Sequence, residues 1–444
     1  MNTHNALDLT PHFALEGNQP FKDRRATMPW RGAIPIAKEQ LSQTWQAVIN
    51  HSVPRRKRLV YLHIPFCATH CTFCGFYQNR FAEDHCARYT DALLREIAME
   101  ADSALHQSAP IHAVYFGGGT PSALSARDLA RIITALREQL PLAPDCEITI
   151  EGRVLNFDAN RIDACLDAGA NRFSIGIQSF NSKIRKKMAR TSDGPTAVDF
   201  MQRLVKRDRA AVVCDLLFGL PGQNAALWGE DLAIAGDIGL DGVDLYALNV
   251  IPHTPLGKAV ENGRTVVPSP AERRDLYLQG CDFMDDAGWR CISNSHWART
   301  TRERNLYNLL IKQGADCLAF GSGAGGSANG YSWMVERNLA AWHESIAAGK
   351  KPLMMMRTAE RSYQWRHTLQ AGIETARIPL AELTPHAEKL APLLSQWHRA
   401  GLARDASTCL RLTNEGRFWA SNILQSLDEL IQELNAPRIA VGKP

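Results

Sequence analysis

No apolar run in this chain of 444 residues reaches the ~18 residues that a membrane-spanning helix needs, so insertion into a membrane is not expected. The first 20 residues lack a basic start followed by an apolar stretch, so a secretory signal is not expected either. Charge of one sign is also scarce. Fifty Lys and Arg stand against 46 Asp and Glu, and a net +4 is too small a bias to argue for nucleic acid as a partner. The eleven cysteines are odd in number and scattered, unlike a disulfide framework, and they fit a reducing cytoplasm. Internal repeats are missing. What remains is an ordinary globular balance, 45% hydrophobic and 22% charged, with enough apolar material for a sizeable core. The length sets a soft prior of about two or three domains.

Against that background one stretch is unusual. Three thiols, Cys67, Cys71 and Cys74, fall within eight residues at the spacing C-x3-C-x2-C, directly after the apolar run 59–65, which reads as a strand. A structural zinc site would need a fourth thiol or imidazole. His70 is at hand, but it lies inside the spacing and has no matching second pair. A chance group of buried cysteines is the bland alternative. A four-iron cluster held by three thiolates keeps one iron open for a ligand, and this reading fits the motif best.

From residue 59 onward strand-like and helix-like segments alternate. Strands are expected at 59–65, 113–117, 147–151, 171–178, 211–218 and 242–250, and helices near 84–106, 125–140, 158–168, 194–208, 224–238 and 270–287. This rhythm predicts an α/β fold, a partial (β/α)6 barrel of the TIM type, open on one side, with its site at the C-terminal ends of the strands. Residues 1–54 read as an N-terminal arm, 55–350 as the barrel with its extension, and 351–444 as a small, mainly helical, winged-helix-like domain. Gly321 to Gly326 reads as a flexible connector, because it does not follow the strand-first pattern of a dinucleotide cradle. A linker is expected from about Met354 to Arg361. The C-terminal part has no basic recognition helix, so DNA binding is not expected.

Several strand ends carry residues suited to a polar ligand. Glycines 117–119 leave room for close backbone approach. Glu151, Gln178 and Asp215 can accept or donate hydrogen bonds, and the forked guanidinium of Arg190 suits a carboxylate. A solvated helix face for Arg190, and buried ion pairs for the two carboxylates, are the alternatives.

The motif and its surroundings resemble the radical S-adenosylmethionine (SAM) superfamily, in the branch that contains oxygen-independent coproporphyrinogen dehydrogenase. The matching stretches are Tyr61-Leu-His-Ile-Pro-Phe-Cys67, Gly117-Gly-Gly-Thr-Pro121, Ser174-Ile-Gly-Ile-Gln-Ser-Phe180, Asp215-Leu-Leu-Phe-Gly-Leu-Pro-Gly222 and Leu412-Thr-Asn-Glu-Gly416. They cover about residues 58–345 and 360–430. The resemblance implies a [4Fe–4S] cluster on Cys67, Cys71 and Cys74. It also implies SAM contacts from Tyr61, Phe73, Gly118, Gly119, Thr120, Glu151, Gln178, Arg190 and Asp215. An electron from a flavodoxin-like donor would start the chemistry.

Two departures narrow the branch. The dehydrogenase carries a fourth cysteine two residues after the third ligand, where this chain has Phe76. The haem-chaperone relatives carry His-Asn-x-x-Tyr-Trp where this chain reads Arg304-Asn-Leu-Tyr-Asn-Leu309. What remains is similar to the haem-utilisation group, the HutW/ChuW-type radical SAM methyltransferases. These open haem without oxygen, release iron and yield a methylated linear tetrapyrrole. Coproporphyrinogen dehydrogenase and a haem-binding chaperone without turnover are the alternatives. No catalytic residue is assigned. For haem itself the expected cations are the run Arg55 to Arg58, Arg299, Arg302 and Arg304. The expected axial ligand is His296, ahead of His70 and His253.

Overall fold

The computed structural model describes residues 7–17, 19–25, 33–54, 56–359 and 364–435. Seven strands run parallel: β1 (Arg58–Ile64), β2 (Ile111–Gly118), β3 (Leu142–Gly152), β4 (Arg172–Gln178), β5 (Ala211–Phe218), β6 (Gly242–Ala247) and β7 (Asp316–Phe320). Their order in the sheet is β7-β1-β2-β3-β4-β5-β6. The first six coincide with the expected strands. They form because runs such as Leu59-Val-Tyr-Leu-His-Ile64 are apolar on both faces, as a sheet covered by helices on the outside requires.

The helices between them start where short polar side chains can cap them. Ser125, Asp158, Asp193 and Asn224 each accept a backbone N–H at the head of a helix, and Ser269 with Glu272 forms a reciprocal capping box. Antiparallel strands extend both edges of the sheet. Gly325–Ala328, Tyr331–Val335, Leu353–Ala359 and Ala33–Pro35 follow β7, while His296–Ala298 and Arg290–Cys291 follow β6.

The seventh parallel strand was not expected, because Asp316–Phe320 is short and runs directly into glycines. Those glycines do not form a loose connector. Gly321 has φ +97°, and a Cβ there would meet the Tyr89 hydroxyl at 2.4 Å. Its N–H donates to Glu96 at 2.8 Å. The turn is therefore packed on the helix Glu83–Glu100. The expected linker is likewise a strand, Leu353–Ala359, held between Tyr331–Val335 and Ala33–Pro35. Residues 360 and 361 lie outside the described residues, as do Met28 to Arg31.

The C-terminal region is mostly helical, with a three-stranded sheet of Arg377–Pro379, Cys409–Leu412 and Ala403–Asp405. The described part of the N-terminal arm lies against it: Trp397 donates to the His12 carbonyl at 3.1 Å and Gln396 brackets Ala14. One continuous hydrophobic core runs from the barrel strands into this region. At the join, Phe418 packs against Phe218 and Tyr277 with ring centroids 6.4 and 5.8 Å apart. Among the described residues no helix is long and apolar enough to cross a membrane.

One buried charge ties the outer helix to β7. Lys351 Nζ sits 3.0 Å from Glu96, 2.7 Å from Glu100 and 2.8 Å from the Ala319 carbonyl, with only 2% of its side chain exposed. Removing one partner of such a cluster strands the others in a poor solvent for charge. Lys351→Met should therefore lower the unfolding free energy by about 3–5 kcal/mol in urea denaturation. A loss below about 1 kcal/mol would show that the cluster is solvated like a surface pair.

Candidate active site

All seven parallel strands end on one side, and the thiol loop begins there. After β1 the chain turns at Pro65 and enters the loop that carries Cys67, Cys71 and Cys74. The loop is held at several points. Arg153, just beyond β3, donates to the Thr69 carbonyl at 3.2 Å and to its hydroxyl at 2.9 Å. The Thr72 carbonyl accepts the Leu256 N–H at 2.8 Å. Thr120 Oγ1 donates to Cys67 Sγ at 3.3 Å, and the Phe76 N–H to Cys74 Sγ at 3.3 Å. Burial raises the thiols of Cys67 and Cys74 above their ordinary pKa.

Behind the loop lies a cavity of about 190 Å³. Its walls bring together Cys67, Cys71, Phe73, Cys74, Gly118, Gly119, Thr120, Glu151, Gln178, Arg190 and Asp215 from the loop and the ends of β2 to β5. Tyr61 sits one layer lower, near Glu151 and stacked against Tyr115 with centroids 6.5 Å apart.

Gln178 is held at φ +66°, left-handed backbone for a non-glycine residue, where β4 slips its register against β5. Its Oε1 and the Arg190 Nε are buried without a partner. Arg190 lies 5.9 Å over the Phe73 ring, and burial pulls its pKa down to about 10. Glycines 118 and 119 answer to the chain itself: a Cβ on Gly118 would meet the His63 ring at 2.7 Å, and one on Gly119 the Phe66 carbonyl at 2.7 Å. Close packing against β1 is thus the immediate reason for them.

Among the described residues the carboxylates at the cavity floor form no ion pair, and Arg172 acts on them only through space. Glu151 accepts from the Tyr115 hydroxyl at 2.9 Å, and burial raises its pKa to about 7. Asp215 accepts from Ser174 at 2.9 Å and is raised to about 7 by burial and by its neighbours Asp244 and Glu151. A cationic ligand would relieve both. A larger hollow of about 300 Å³ lies nearby, but its rim arginines, Arg203 and Arg207, are already paired with Asp199 and Asp163.

The residues present fit an iron–sulfur cluster and SAM. Among the described residues no three ligating side chains stand close enough to hold a single metal ion. His70, the possible fourth zinc ligand, stacks on Tyr77 at 4.3 Å with its Nε2 against the Cys74 carbonyl.

The expected haem residues are placed differently. His296 is fully buried in the barrel interior, Nδ1 at 2.9 Å from Asp244 and Nε2 at 3.1 Å from Glu303, which in turn pairs with Arg172 at 3.0 Å. Both ring nitrogens are taken, so it offers no axial position. The strand His296–Ala298 pairs with β6, which turns its first residue inward. Arg299 corrects in the same way. Its backbone N–H donates to Asp241 and its Nη1 to the Gly236 carbonyl, at the N-terminal end of β6 and opposite the cavity. Arg302 pairs with Asp208 and Asp241, Arg304 with Asp145, and Arg56 with Asp316, all at the N-terminal ends of strands. Arg58 is buried against the carbonyls of Leu105, His106 and Ala109. Arg55 lies outside the described residues. Of the three histidines, His70 and His253 are exposed on loops at the mouth.

Arg153, Ser174 and Tyr246 also belong to this end of the barrel and carry no motif of their own in the sequence. Ser174 shares the alternation of Gly176 and Gln178, which could have found it. Tyr246 lines the barrel beside Asp244 and is 37% exposed, so the interior stays open above it.

The family profile of the Radical SAM superfamily matches residues 61–232. The chain is also 86% identical to an anaerobilin synthase of Escherichia coli O157:H7 over the full length of both. The chain belongs to the radical SAM superfamily. A haem chaperone, HemW of Synechocystis, is 29% identical over 76% of this chain and 84% of its own. Coproporphyrinogen III oxidase (HemN) from Escherichia coli shares the fold at a TM-score of 0.74, covering 90% of this chain and 97% of that one at 22% identity. Radical SAM proteins use a [4Fe–4S] cluster and SAM.

Two outcomes follow from the charges of this radical SAM barrel. Asp215 binds a proton more tightly folded than unfolded, with its pKa raised from 3.8 to about 7, so the stability it contributes is lost as pH rises across that window. Asp215→Asn should melt above the wild type near pH 8 and show no advantage near pH 4 in thermal scans without ligand. Equal melting points near pH 8 would refute the uncompensated carboxylate. His296 is opposite in partners: burial disfavours its charge, but Asp244 and Glu303 override this and raise it to about 9. Its contribution is full below its ordinary 6.5 and fades as pH climbs through about 9. At neutral pH His296→Ala should cost about 3–5 kcal/mol in urea unfolding, a penalty that shrinks at higher pH.

Proposed function

We propose that this protein is a radical SAM methyltransferase that opens haem without oxygen, releasing iron and giving a methylated linear tetrapyrrole. The observation that carries the reading is the 86% identity to an anaerobilin synthase across the whole chain, against 29% to a haem chaperone. We further infer that it works in the cytoplasm with a one-electron donor of the flavodoxin type. Phe76 stands where the dehydrogenase branch has its fourth cysteine, and its side chain is 67% exposed beside the thiol loop.

In this reading Cys67, Cys71 and Cys74 would hold the cluster, and the walls of the cavity would hold SAM. The chemistry supplied by the bound cofactors is radical generation and methyl donation. The protein's part is positioning and shielding. Arg190 is desolvated and its Nε unpaired, so it would take the SAM carboxylate through a charge-assisted bond. Glu151 and Asp215, raised to about 7, would give up protons to accept bonds from the ammonium group or the ribose hydroxyls. Gln178 would reach the ribose from its strained backbone position. Phe73 packs beside Leu220, Leu248 and Leu256 and keeps water from the loop side.

The test is an anaerobic assay of the reconstituted protein with haem, SAM and a reductant. Loss of the haem absorption band with a methylated open-chain product is expected. Conversion of coproporphyrinogen, or a haem complex that persists unchanged, would overturn the reading. Cys71→Ala should abolish SAM cleavage while the fold survives. Arg190→Ala should weaken SAM binding by about 1.5–3 kcal/mol with little change in melting temperature. Unaltered SAM affinity with a large loss of stability would make Arg190 structural.

A further inference from the structure

Haem carries two propionates, and the cations expected for them lie paired at the far end of the barrel. Two other arginines stand on the mouth side. Arg273, in the first turn of the helix Pro270–Asp286, lies across Gly219 just beyond β5; a Cβ on that glycine would meet its Cγ and Cδ at 2.8 Å. Its Nη1 donates to the Leu248 carbonyl just beyond β6 at 3.2 Å. Its Nε is buried with no partner.

Arg24 comes from the N-terminal arm. Its Nε donates to the Phe418 carbonyl at 2.9 Å, and its guanidinium lies 5.4 Å over the Phe418 ring. Phe418 packs on Tyr277, one helical turn beyond Arg273, so both arginines face one wall. Among the described residues neither forms an ion pair with a carboxylate, whereas Arg207, Arg209, Arg302 and Arg304 at the N-terminal ends of the strands do. Asp23 and Glu374 act on them only through space. Burial holds both guanidinium groups below their usual pKa, and Arg273 lowers Arg24 further.

Two partly desolvated like charges with no counter-ion oppose folding, and the anion that would relieve them is absent from the chain itself. A planar fork suits a carboxylate. We propose that Arg24 and Arg273 form the binding site for a propionate carboxylate of the tetrapyrrole. This rests on the haem reading above. The arm residue Arg24 then belongs to the substrate site, and a bound substrate would tie the arm to the end of the barrel.

The experiment titrates ferric haem, and separately haem dimethyl ester with both propionates blocked, into the full-length, cluster-loaded protein. The wild type should prefer haem over the ester by about tenfold or more, as a charge-assisted pair would give. Arg273→Gln and Arg24→Gln should each erase much of that preference while binding the ester as the wild type does. Arg273→Lys should keep part of it. SAM affinity should stay the same, and melting temperatures should not fall, because the Gln side chains remove uncompensated charge. Gln variants that keep the full preference for haem would overturn the site. A wild type that binds the ester as tightly as haem would overturn it too. A wild type that binds neither would overturn the haem reading itself, and this site with it.

Discussion

A barrel interior filled with charge can persist only if each charge finds an opposite one, and here the supply of cations runs out part-way up. Arg172 and His296 sit low in the interior and are consumed by Glu303, Asp244 and, through space, Glu147. Those contacts hold Glu303 down at about 2 despite its burial. Above them Glu151 and Asp215 form no ion pair among the described residues; Glu151 is held by the Tyr115 hydroxyl and the Gly118 backbone, Asp215 by Ser174, and both rise to about 7. The lower layer is neutralised and structural. The upper layer is left short of positive charge at the cavity where the thiol loop lies, which is the electrostatic condition for holding a sulfonium and an ammonium.

The same division holds for the arginines. Arg56, Arg302 and Arg304 close ion pairs around the N-terminal ends of the strands, where they staple loops together. Arg190, Arg273 and Arg24 lie toward the C-terminal ends and have no carboxylate partner among the described residues. One end of the fold closes its charges into ion pairs, and the other leaves these arginines without a carboxylate partner among the described residues. That is the usual separation of a parallel barrel, whose strand C-termini carry function.

Much of this was legible in the sequence because it is local. Six strands announce themselves as continuous apolar runs, and their helices by apolar residues at helical spacing between them. The thiol spacing, the glycines at the end of β2, Glu151 at the end of β3 and Asp215 within β5 all lie in or next to those strands, so predicting the strands also placed the residues in one cavity. The exceptions have a common cause. His296 carries a plausible neighbourhood, with Trp297 and Arg299 beside it, but Asp244 is brought to it by strand pairing with β6 and Glu303 by the return of the chain beyond Ala298. Gly321 reads as loose until Tyr89 and Glu96, more than 200 residues earlier, are seen to clasp it.

The sequence by itself determined six of the seven parallel strands, the loop that carries the thiols and several polar residues beside it, since each depends on neighbours a few positions away. Only the tertiary structure decided which charges were already neutralised. Arg172 and Glu303 are 131 residues apart, and Arg24 and Phe418 are 394 apart. Whether a cation is free depends on what the fold sets within a few ångströms of it, and spacing along the chain carries no record of that distance.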